Sequence, residues 1–410
     1  MLRRLPDPRR QEQLYYPKET LIWSAILIFL LALKSRRQFR LQGQRPAFVP
    51  NLNALAQSRV ECASHDDTIA YYLAKLPPES AEELPVYIVR RLIRMKALDR
   101  WRLYGAFLVA VDGTGHRFSR QRHCPHCLTR KGSDGCPLYF HQALEAKLVT
   151  ASGLVFSMAT EFIENADPHA EKQDCELKAF SRLAAKLKSR FPRLPIILLG
   201  DSLYACQPVF DLCRKYRWHF IFTFKEGALP ALFAEFVALR DYTPENRLTH
   251  RIGEWIQRLA WVNDLPYQGH RLSAFECREE RPDGEHYFAY LSDIPVGCRS
   301  VVTLCNQGGR LRWKLENQGF NIQKNHGYEL EHTYCSHTWA AKNLYYFLQV
   351  AHAIHQLMIK GSLLRPFDQL LGSFRNFLCQ LAEAFGNCAI PSALWDTRAP
   401  PTIQIRLDSS

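Results

Sequence analysis

The sequence predicts an α/β protein in which a mixed β-sheet is flanked by helices. Three observations lead to this prediction. Residues 1–100 carry apolar positions at helical spacing, residues 105–224 combine strand-like apolar runs with amphipathic helical stretches, and residues 225–308 consist mainly of strand-like pieces. The chain has 410 residues and is 47% hydrophobic, so it can bury a sizeable core and is not of the disordered class.

The N-terminal region, residues 1–100, is predicted to be helical. Its segment "LIWSAILIFLLAL" has 13 residues, fewer than the roughly 20 that a membrane-spanning helix needs, and is interpreted as a buried helix. The basic run "KSRRQFR" follows, and Arg36 and Arg37 are candidate phosphate-binding residues, with a solvated helix end as the alternative. Pro85 predicts a helix break or a first-turn position.

The next region predicts the core of the sheet. "GAFLVAVDGTG" is typical of a buried strand that ends at Asp112, and "ALEAKLVTASGLVFSMATEFI" predicts two strands joined at Ser152 and Gly153. A helix with Asp174 as its N-cap follows, then a strand that ends at Asp201, a short helix and a fifth strand. The order β, β, β, α, β, α, β is that of an RNase H-like fold.

Changes of pattern along the chain predict five regions. "RPDG" marks a turn inside the strand-rich segment, "VVTLC" (301–305) is strand-like, and "TWAAKNLYYFLQVAHAIHQLMIKG" predicts a long helix ending at a glycine. The predicted regions are a helical N-terminal region with the candidate phosphate-binding run at 1–100, the first part of the RNase H-like domain at 101–224, a β-rich insertion at 225–308, the last part of the RNase H-like domain at 309–365, and a C-terminal tail at 366–410.

The composition indicates which binding partners and which cellular compartment the chain is suited to. The chain has 53 Lys and Arg against 40 Asp and Glu, a net charge of +13. This excess favours a nucleic acid as the partner, and a membrane surface is the second candidate. The third interpretation is that the charge reflects no polyanionic partner. We expect no membrane partner, because the single apolar run is too short. Thirteen scattered cysteines, an odd number, favour free thiols in a reducing cytosol.

Three carboxylates are candidates for a metal site. Asp112 and Asp201 each end an apolar strand, and Glu316 lies in the basic, amide-rich stretch "RWKLENQGFNIQKNHGYELEH". Converging oxygen ligands suit Mg²⁺, although each of these residues alone could be a turn former or a solvated side chain. Arg312 precedes Glu316 by four residues on the same helical face and is a candidate phosphate ligand. Lys324 is a further candidate but lies off that face on an ideal helix.

A second candidate site is rich in cysteine and histidine. The segment "HRFSRQRHCPHCLTRKGSDGCPLYFH" carries Cys124 and Cys127 at a spacing typical of zinc sites. Cys136 and His141 would complete a tetrahedral Zn²⁺ site, and His123 could replace Cys136. An unmetallated basic loop and a redox-active cysteine pair are the alternatives.

The blocks "VDGTG", "GDSLYA" and "WKLENQGFNIQKNHGYELEH" resemble the three catalytic blocks of bacterial insertion-sequence transposases of the DDE type, and the resemblance spans most of residues 15–360. It implies that Asp112, Asp201 and Glu316 bind two Mg²⁺ or Mn²⁺ ions. It also implies cleavage at transposon ends, strand transfer into target DNA, a homodimer that pairs the two ends, and a bacterial cytoplasmic protein associated with the nucleoid.

The third block departs from the wider class, which carries Tyr-x2-Arg-x3-Glu-x6-Lys. Arg312 and Glu316 fit, but Gly309 stands at the Tyr position and Gln323 at the Lys position, with Lys324 one residue late. Two other functions remain open: an RNase H-fold DNA nuclease, and a catalytically silent, domesticated DNA-binding protein.

Overall fold

The protein is built around one large mixed sheet with helices on its faces. The computed structural model describes residues 1–10, 12, 14–121, 124–132, 134–165, 173–362, 364, 371–391 and 407. Its strands are β1 (Phe107–Ser119), β2 (Leu128–Lys131), β3 (Pro137–Val149), β4 (Val155–Ile163), β5 (Ile196–Gly200), β6 (His219–Thr223), β7 (Arg247–Ile252), β8 (Trp255–Tyr267), β9 (His270–Arg281) and β10 (Gly284–Ser292).

The helices cover both ends of the chain and the connections between strands. They are α1 (Lys18–Leu30), α2 (Arg36–Gln42), α3 (Phe48–Ala56), α4 (Asp66–Lys75), α5 (Pro78–Arg94), α6 (Glu176–Arg190), α7 (Gln207–Tyr216), α8 (Pro230–Tyr242), α9 (Val301–Thr303), α10 (Arg312–Lys314), α11 (Asn321–Asn325), α12 (Thr338–Lys360) and α13 (Phe374–Asn387). Two π-helical turns, Leu304–Gly308 and Leu315–Phe320, flank α10.

The strand order confirms the mixed α/β class and matches the predicted RNase H-like arrangement. β3 lies between β1 and β4, and β1, β5 and β6 follow one another across the sheet. β1 pairs with β3 antiparallel and with β5 parallel, and β5 pairs with β6 parallel. Gly153, at φ +78°, makes the turn between β3 and β4 at the predicted place.

The predicted insertion continues this sheet. β10 pairs antiparallel with β6, and β9, β8 and β7 follow as an antiparallel meander. The Pro-Asp-Gly signal forms the β9–β10 turn, with Gly284 at φ +133°. The insertion begins with helix α8, which the sequence pattern did not indicate. The same sheet therefore carries both the predicted catalytic region and the insertion.

The N-terminal helices pack against the long helix α12, as the buried-helix interpretation of residues 21–33 requires. α1, α4 and α5 all contact α12 and share one apolar cluster with it. Ile22, Ile26 and Phe29 of α1 are buried there. None of the helices in the described residues is both long enough and apolar enough to cross a bilayer.

Four local predictions were wrong. The strand predicted to end at Asp112 continues to Ser119, because β1 keeps its antiparallel pairing with β3 after its parallel pairing with β5 has ended. Pro85 neither breaks α5 nor starts it: the helix continues through this buried residue and packs on α12 and β4, which compensates for the missing N–H. Residues 301–305 are helical, with Val301, Leu304 and Cys305 buried at helical spacing, since a short apolar run does not by itself distinguish strand from helix.

The fourth concerns the start of α6. Its N-cap is Cys175 and not Asp174. The Asp174 carboxylate accepts the Cys175 N–H at 3.0 Å and forms an ion pair with Arg182, which draws it away from the helix N–H groups. The C-terminal region predicted as a tail contains α13, which packs against α3, while residues 365–370, 392–406 and 408–410 lie outside the described residues.

Candidate active site

Asp112 and Asp201 lie at the same edge of the sheet. The parallel pairing of β1 with β5 ends at Ala110 and Leu199, and each aspartate follows two residues later. Neighbouring parallel strands present functional groups where their carboxyl ends meet. Asp112 accepts the Gly113 N–H at 2.9 Å, and Asp201 accepts the Leu203 N–H at 2.9 Å, so local backbone donors orient both carboxylates.

A third carboxylate, Glu176, lies beside these two. It is the first residue of α6 and accepts hydrogen bonds from the Gln142 amide and, at 3.3 Å, from the buried Tyr204 hydroxyl. A Cβ at position 113 would clash with the Glu176 carboxylate, so the glycine of "VDGTG" leaves room for this side chain. Sequence reasoning missed Glu176; its place in the first turn of a helix, where carboxylates are favoured, was the available signal.

The three carboxylates form a strongly acidic cluster. Burial raises the pKa of Asp112 to about 6; the nearby Arg312 opposes the rise, whereas Glu176 and Asp201 add to it. The pKa of Glu176 is also raised, first by burial, and Asp201 contributes. Buried carboxylates that repel one another are stabilised by a bound cation. The cluster thus has the charge pattern of a cation site.

Arg312 connects the predicted third block to this edge of the sheet. Its Nη1 lies 3.6 Å from Asp112 Oδ2, and its side chain is largely buried. The π-helical turn that begins at Leu315 contacts β1 and β4. Glu316 is in that turn and is exposed. Turns of this kind inside helices occur frequently at functional sites.

The structure places Arg312 next to Asp112, but it does not bring the three predicted carboxylates within metal-ligand distance of one another. Asp112, Asp201 and Glu316 do not form a cluster whose ligand atoms all lie within 4.8 Å of one another. Among the described residues, that condition is met by Cys124, Cys127 and His141. Glu316 has no hydrogen bond or ion pair with another described side chain, so its carboxylate is available to a ligand.

The departures in the third block have structural causes. A Cβ at Gly309 would clash with the ring of Tyr290 on β10, so no side chain fits where the wider class carries tyrosine. Lys324 forms an ion pair with Glu331 at 2.9 Å. Gln323 is fully buried, and its side chain forms hydrogen bonds with the buried side chains of Gln349 and His352. Position 323 is therefore a core position in this chain.

Gln323 belongs to a buried polar network around Lys147 of β3. The Lys147 ammonium donates to Gln349 Oε1 at 3.0 Å and to Gln323 Oε1 at 3.2 Å, and it lies 4.8 Å from the centre of the Phe320 ring. Burial lowers the pKa of Lys147 to about 8, and the neighbouring Glu145 opposes the shift. The network joins β3 to α11 and α12 directly behind the Glu316 turn.

The pH dependence of stability should report this buried ammonium. Because its pKa is lower in the folded protein than the usual 10.5, the unfolded chain binds more protons between about pH 8 and 10.5. The free energy of unfolding should therefore rise with pH there, by on the order of 1–3 kcal/mol relative to Lys147→Met. Urea unfolding at pH 7.5, 9 and 10 measures it, and parallel pH curves for the two proteins would contradict it.

The N-terminal arginines differ in their surroundings. Arg36 donates to the backbone oxygens of Tyr334 and Asp66, at 2.9 and 2.7 Å, and so ties α2 to two other segments. Arg37 is exposed. Of these two predicted phosphate-binding residues, Arg37 presents its charge to solvent, whereas Arg36 is engaged in holding the fold.

The cysteine and histidine cluster contains three of its four predicted members. Cys124, Cys127 and His141 lie together, and Cys136 is exposed and outside this group. The alternative ligand His123 lies outside the described residues. The cluster lies further along the β1–β3 hairpin than the carboxylates, since His141 pairs with Arg117 whereas Asp112 pairs with Glu145.

No known family model and no curated protein sequence matches this chain. The fold and the site geometry alone therefore define what class of protein this is: an α/β protein whose mixed sheet carries an acidic cluster at the carboxyl ends of its parallel strands.

Proposed function

We propose that this protein is a DNA transposase of the DDE type, which cuts DNA at the ends of a mobile element and joins those ends to target DNA. The observation that carries the proposal is the meeting of three sequence blocks at one edge of the sheet. Asp112 and Asp201 lie two residues beyond the last parallel pair of β1 and β5, and Arg312, four residues before Glu316, contacts Asp112.

The donor set fits divalent metal ions. Asp112, Asp201 and Glu316 offer only carboxylate oxygens, which are the preferred ligands of Mg²⁺ and of Mn²⁺. Burial and mutual repulsion destabilise the charged form of Asp112, and Arg312 is its one ion-pair partner among the described residues. Two bound Mg²⁺ ions would activate the attacking hydroxyl and stabilise the leaving oxygen.

The protein's own groups would position the DNA backbone. Arg312 forms an ion pair with Asp112. With cations bound to the carboxylates, its guanidinium would be free to bind a phosphate oxygen of the DNA instead. Glu176 accepts hydrogen bonds from Gln142 and Tyr204, so its carboxylate would be held in a fixed position beside Gly113 at the base of the site. In-line phosphoryl transfer depends mainly on such positioning and charge neutralisation, and no protein nucleophile is needed.

The charge of the chain supports a DNA partner. A net charge of +13 favours binding to a polyanion, and exposed Arg37 and half-exposed Lys324 are candidates for contacts with the phosphate backbone. Joining two ends at once would require a homodimer. A protein that acts on chromosomal DNA in this way would work in the bacterial cytoplasm, at the nucleoid.

The test is a cleavage and joining assay. Labelled DNA carrying the sequences that flank the gene is incubated with the protein and Mg²⁺ or Mn²⁺. The expected result is cutting at discrete flank positions that leaves free 3′-hydroxyls, followed by joining to a target plasmid. Uniform or structure-directed nicking would identify a nuclease, and binding without cutting would identify a silent DNA-binding protein.

A further inference from the structure

The proposed reaction leaves the cysteine and histidine cluster unexplained. Cys124 and Cys127 lie in the turn that precedes β2, and His141 lies on β3. Cys124 Sγ is 3.6 Å from Cys127 Sγ and 3.3 Å from His141 Nε2, and Cys127 Sγ is 3.1 Å from the same nitrogen. Three soft or borderline donors, from two parts of the chain, thus converge on one point.

The surroundings of His141 favour the tautomer that a metal ligand needs. His141 Nδ1 lies 3.4 Å from Glu164 Oε1, and that carboxylate also forms an ion pair with Lys342 of α12 at 2.6 Å. A proton on Nδ1, donated to the carboxylate, leaves the lone pair of Nε2 directed at the two sulfurs. Histidines that bind zinc typically donate their other ring N–H to a carboxylate in this way.

Charge around Glu164 supports that assignment. The Glu164 carboxylate lies between the His141 ring and the Lys342 ammonium, so it has a cationic partner on the side away from His141. Arg117 Nη2 lies 2.9 Å from His141 Nε2 and donates a hydrogen bond to the lone pair of that nitrogen. Arg117 also donates to the Ser336 backbone oxygen at 3.2 Å.

The turn that carries the cysteines is fixed by hydrogen bonds that do not involve the thiols. The Asn165 side-chain amide donates to the Cys127 oxygen at 2.9 Å, and the Asn165 N–H donates to the His126 oxygen at 3.2 Å. His126 Nδ1 is 2.9 Å from the Asn165 oxygen. Cys127 and His141 are buried, with 7% and 3% of their surfaces exposed. The donor atoms are therefore preorganised in a site that is largely closed to solvent.

We infer that Cys124, Cys127 and His141 bind one Zn²⁺ ion, with Glu164 as the outer partner of His141. Two thiolates and one imidazole are a usual protein donor set for zinc, and a fourth ligand completes the tetrahedron. Each thiol loses its proton on binding, so the ion and its two thiolates are together neutral. Arg117 gives up its hydrogen bond to Nε2 and keeps the one to Ser336.

The ion would join four segments of the chain. Cys124 and Cys127 fix the turn before β2, His141 belongs to β3, and Glu164, just after β4, connects the site to Lys342 of α12. The hairpin also carries exposed basic side chains, among them Arg120 and Arg130. If the proposed transposase function holds, zinc would hold this basic hairpin in place against DNA.

The first test is metal content. Full-length protein purified without chelator should contain about one zinc per chain by mass spectrometry of the metal. Cys124→Ser, Cys127→Ser and His141→Ala should each lower this at least about tenfold. Cys136→Ser is the matched control and should keep its zinc, because Cys136 lies outside the cluster. A wild-type protein without zinc, or a Cys127→Ser protein that retains it, would overturn the inference.

Replacement of zinc by Co²⁺ tests the ligands directly and does not depend on DNA cleavage. The Co²⁺ protein should show the intense visible bands of a tetrahedral site and an ultraviolet sulfur-to-metal charge-transfer band, and Cys124→Ser should weaken the latter. Octahedral, weak bands would overturn the inference, as would a Cys124–Cys127 disulfide in protein prepared without reductant. Glu316→Gln should keep both zinc and these bands, so a failure of the transposase proposal would leave this result unchanged.

Discussion

Replacing Glu316 by glutamine is expected to lower metal-dependent DNA cleavage by at least about 10³-fold, the upper end of what removing one preorganised electrostatic group costs. Glu316 is exposed and has no hydrogen bond or ion pair with the other described side chains. Its loss should therefore leave folding, and binding to element ends, close to wild type. Cleavage is followed on labelled end DNA with Mg²⁺, and binding by gel shift without metal.

Glu176→Gln is the informative comparison, because Glu176 lies beside Asp112 and Asp201. Glutamine keeps its size and can still accept from Gln142 or Tyr204. We expect cleavage to fall far less in this variant than in Glu316→Gln. The reverse order of effects would identify Glu176 as the third metal ligand and would contradict the assignment of Glu316.

Glu279→Ala is expected to lower the free energy of unfolding by about 3–5 kcal/mol, the usual cost of breaking a buried ion pair by removing one partner. Glu279 of β9 is fully buried and forms ion pairs with Arg281 and Arg310, while Gln257 donates to it at 2.6 Å. Without it, both guanidinium groups lose their counter-charge. Equilibrium denaturation in urea measures the change.

Glu280→Ala is the matched control one residue further along the strand. Its exposed carboxylate pairs with Arg258, and exposed pairs contribute only about 0–1 kcal/mol. Equal losses in the two variants would contradict the buried-network argument. Arg310 lies two residues before Arg312, so Glu279→Ala should also reduce cleavage by loosening the segment that carries Arg312 and Glu316.

Much of the sheet could be predicted from local patterns. Apolar runs bounded by glycine, as at Asp112 and Asp201, indicate buried strands whatever surrounds them, and Ser152-Gly153 indicates a turn. Residues 301–305 could not be assigned in the same way, since a five-residue segment with four apolar members suits either a strand or a buried helix turn. Their helical state depends on packing under the sheet formed by β8, β9 and β10.

The residues of the candidate sites also fall into two groups: those that a local motif predicts and those that only packing brings together. The spacing of Cys124 and Cys127 reflects a local turn, so it could be recognised in the chain. Which of the more distant candidates join them could not, and the structure brings His141 but not Cys136 to the two cysteines. Glu176 was missed because only the crossing of α6 over Gly113 brings it to Asp112.

Periodicity and short motifs suffice to predict the α/β class, the order of the core strands, and Asp112, Asp201 and Glu316 as candidate site residues. Three other features follow from packing alone: Tyr290 excludes a side chain at position 309, Gln323 is buried against Lys147, and Arg312 contacts Asp112. These facts depend on contacts between residues far apart in the chain. Such contacts are set by how the sheet and helices pack, and no local pattern encodes them.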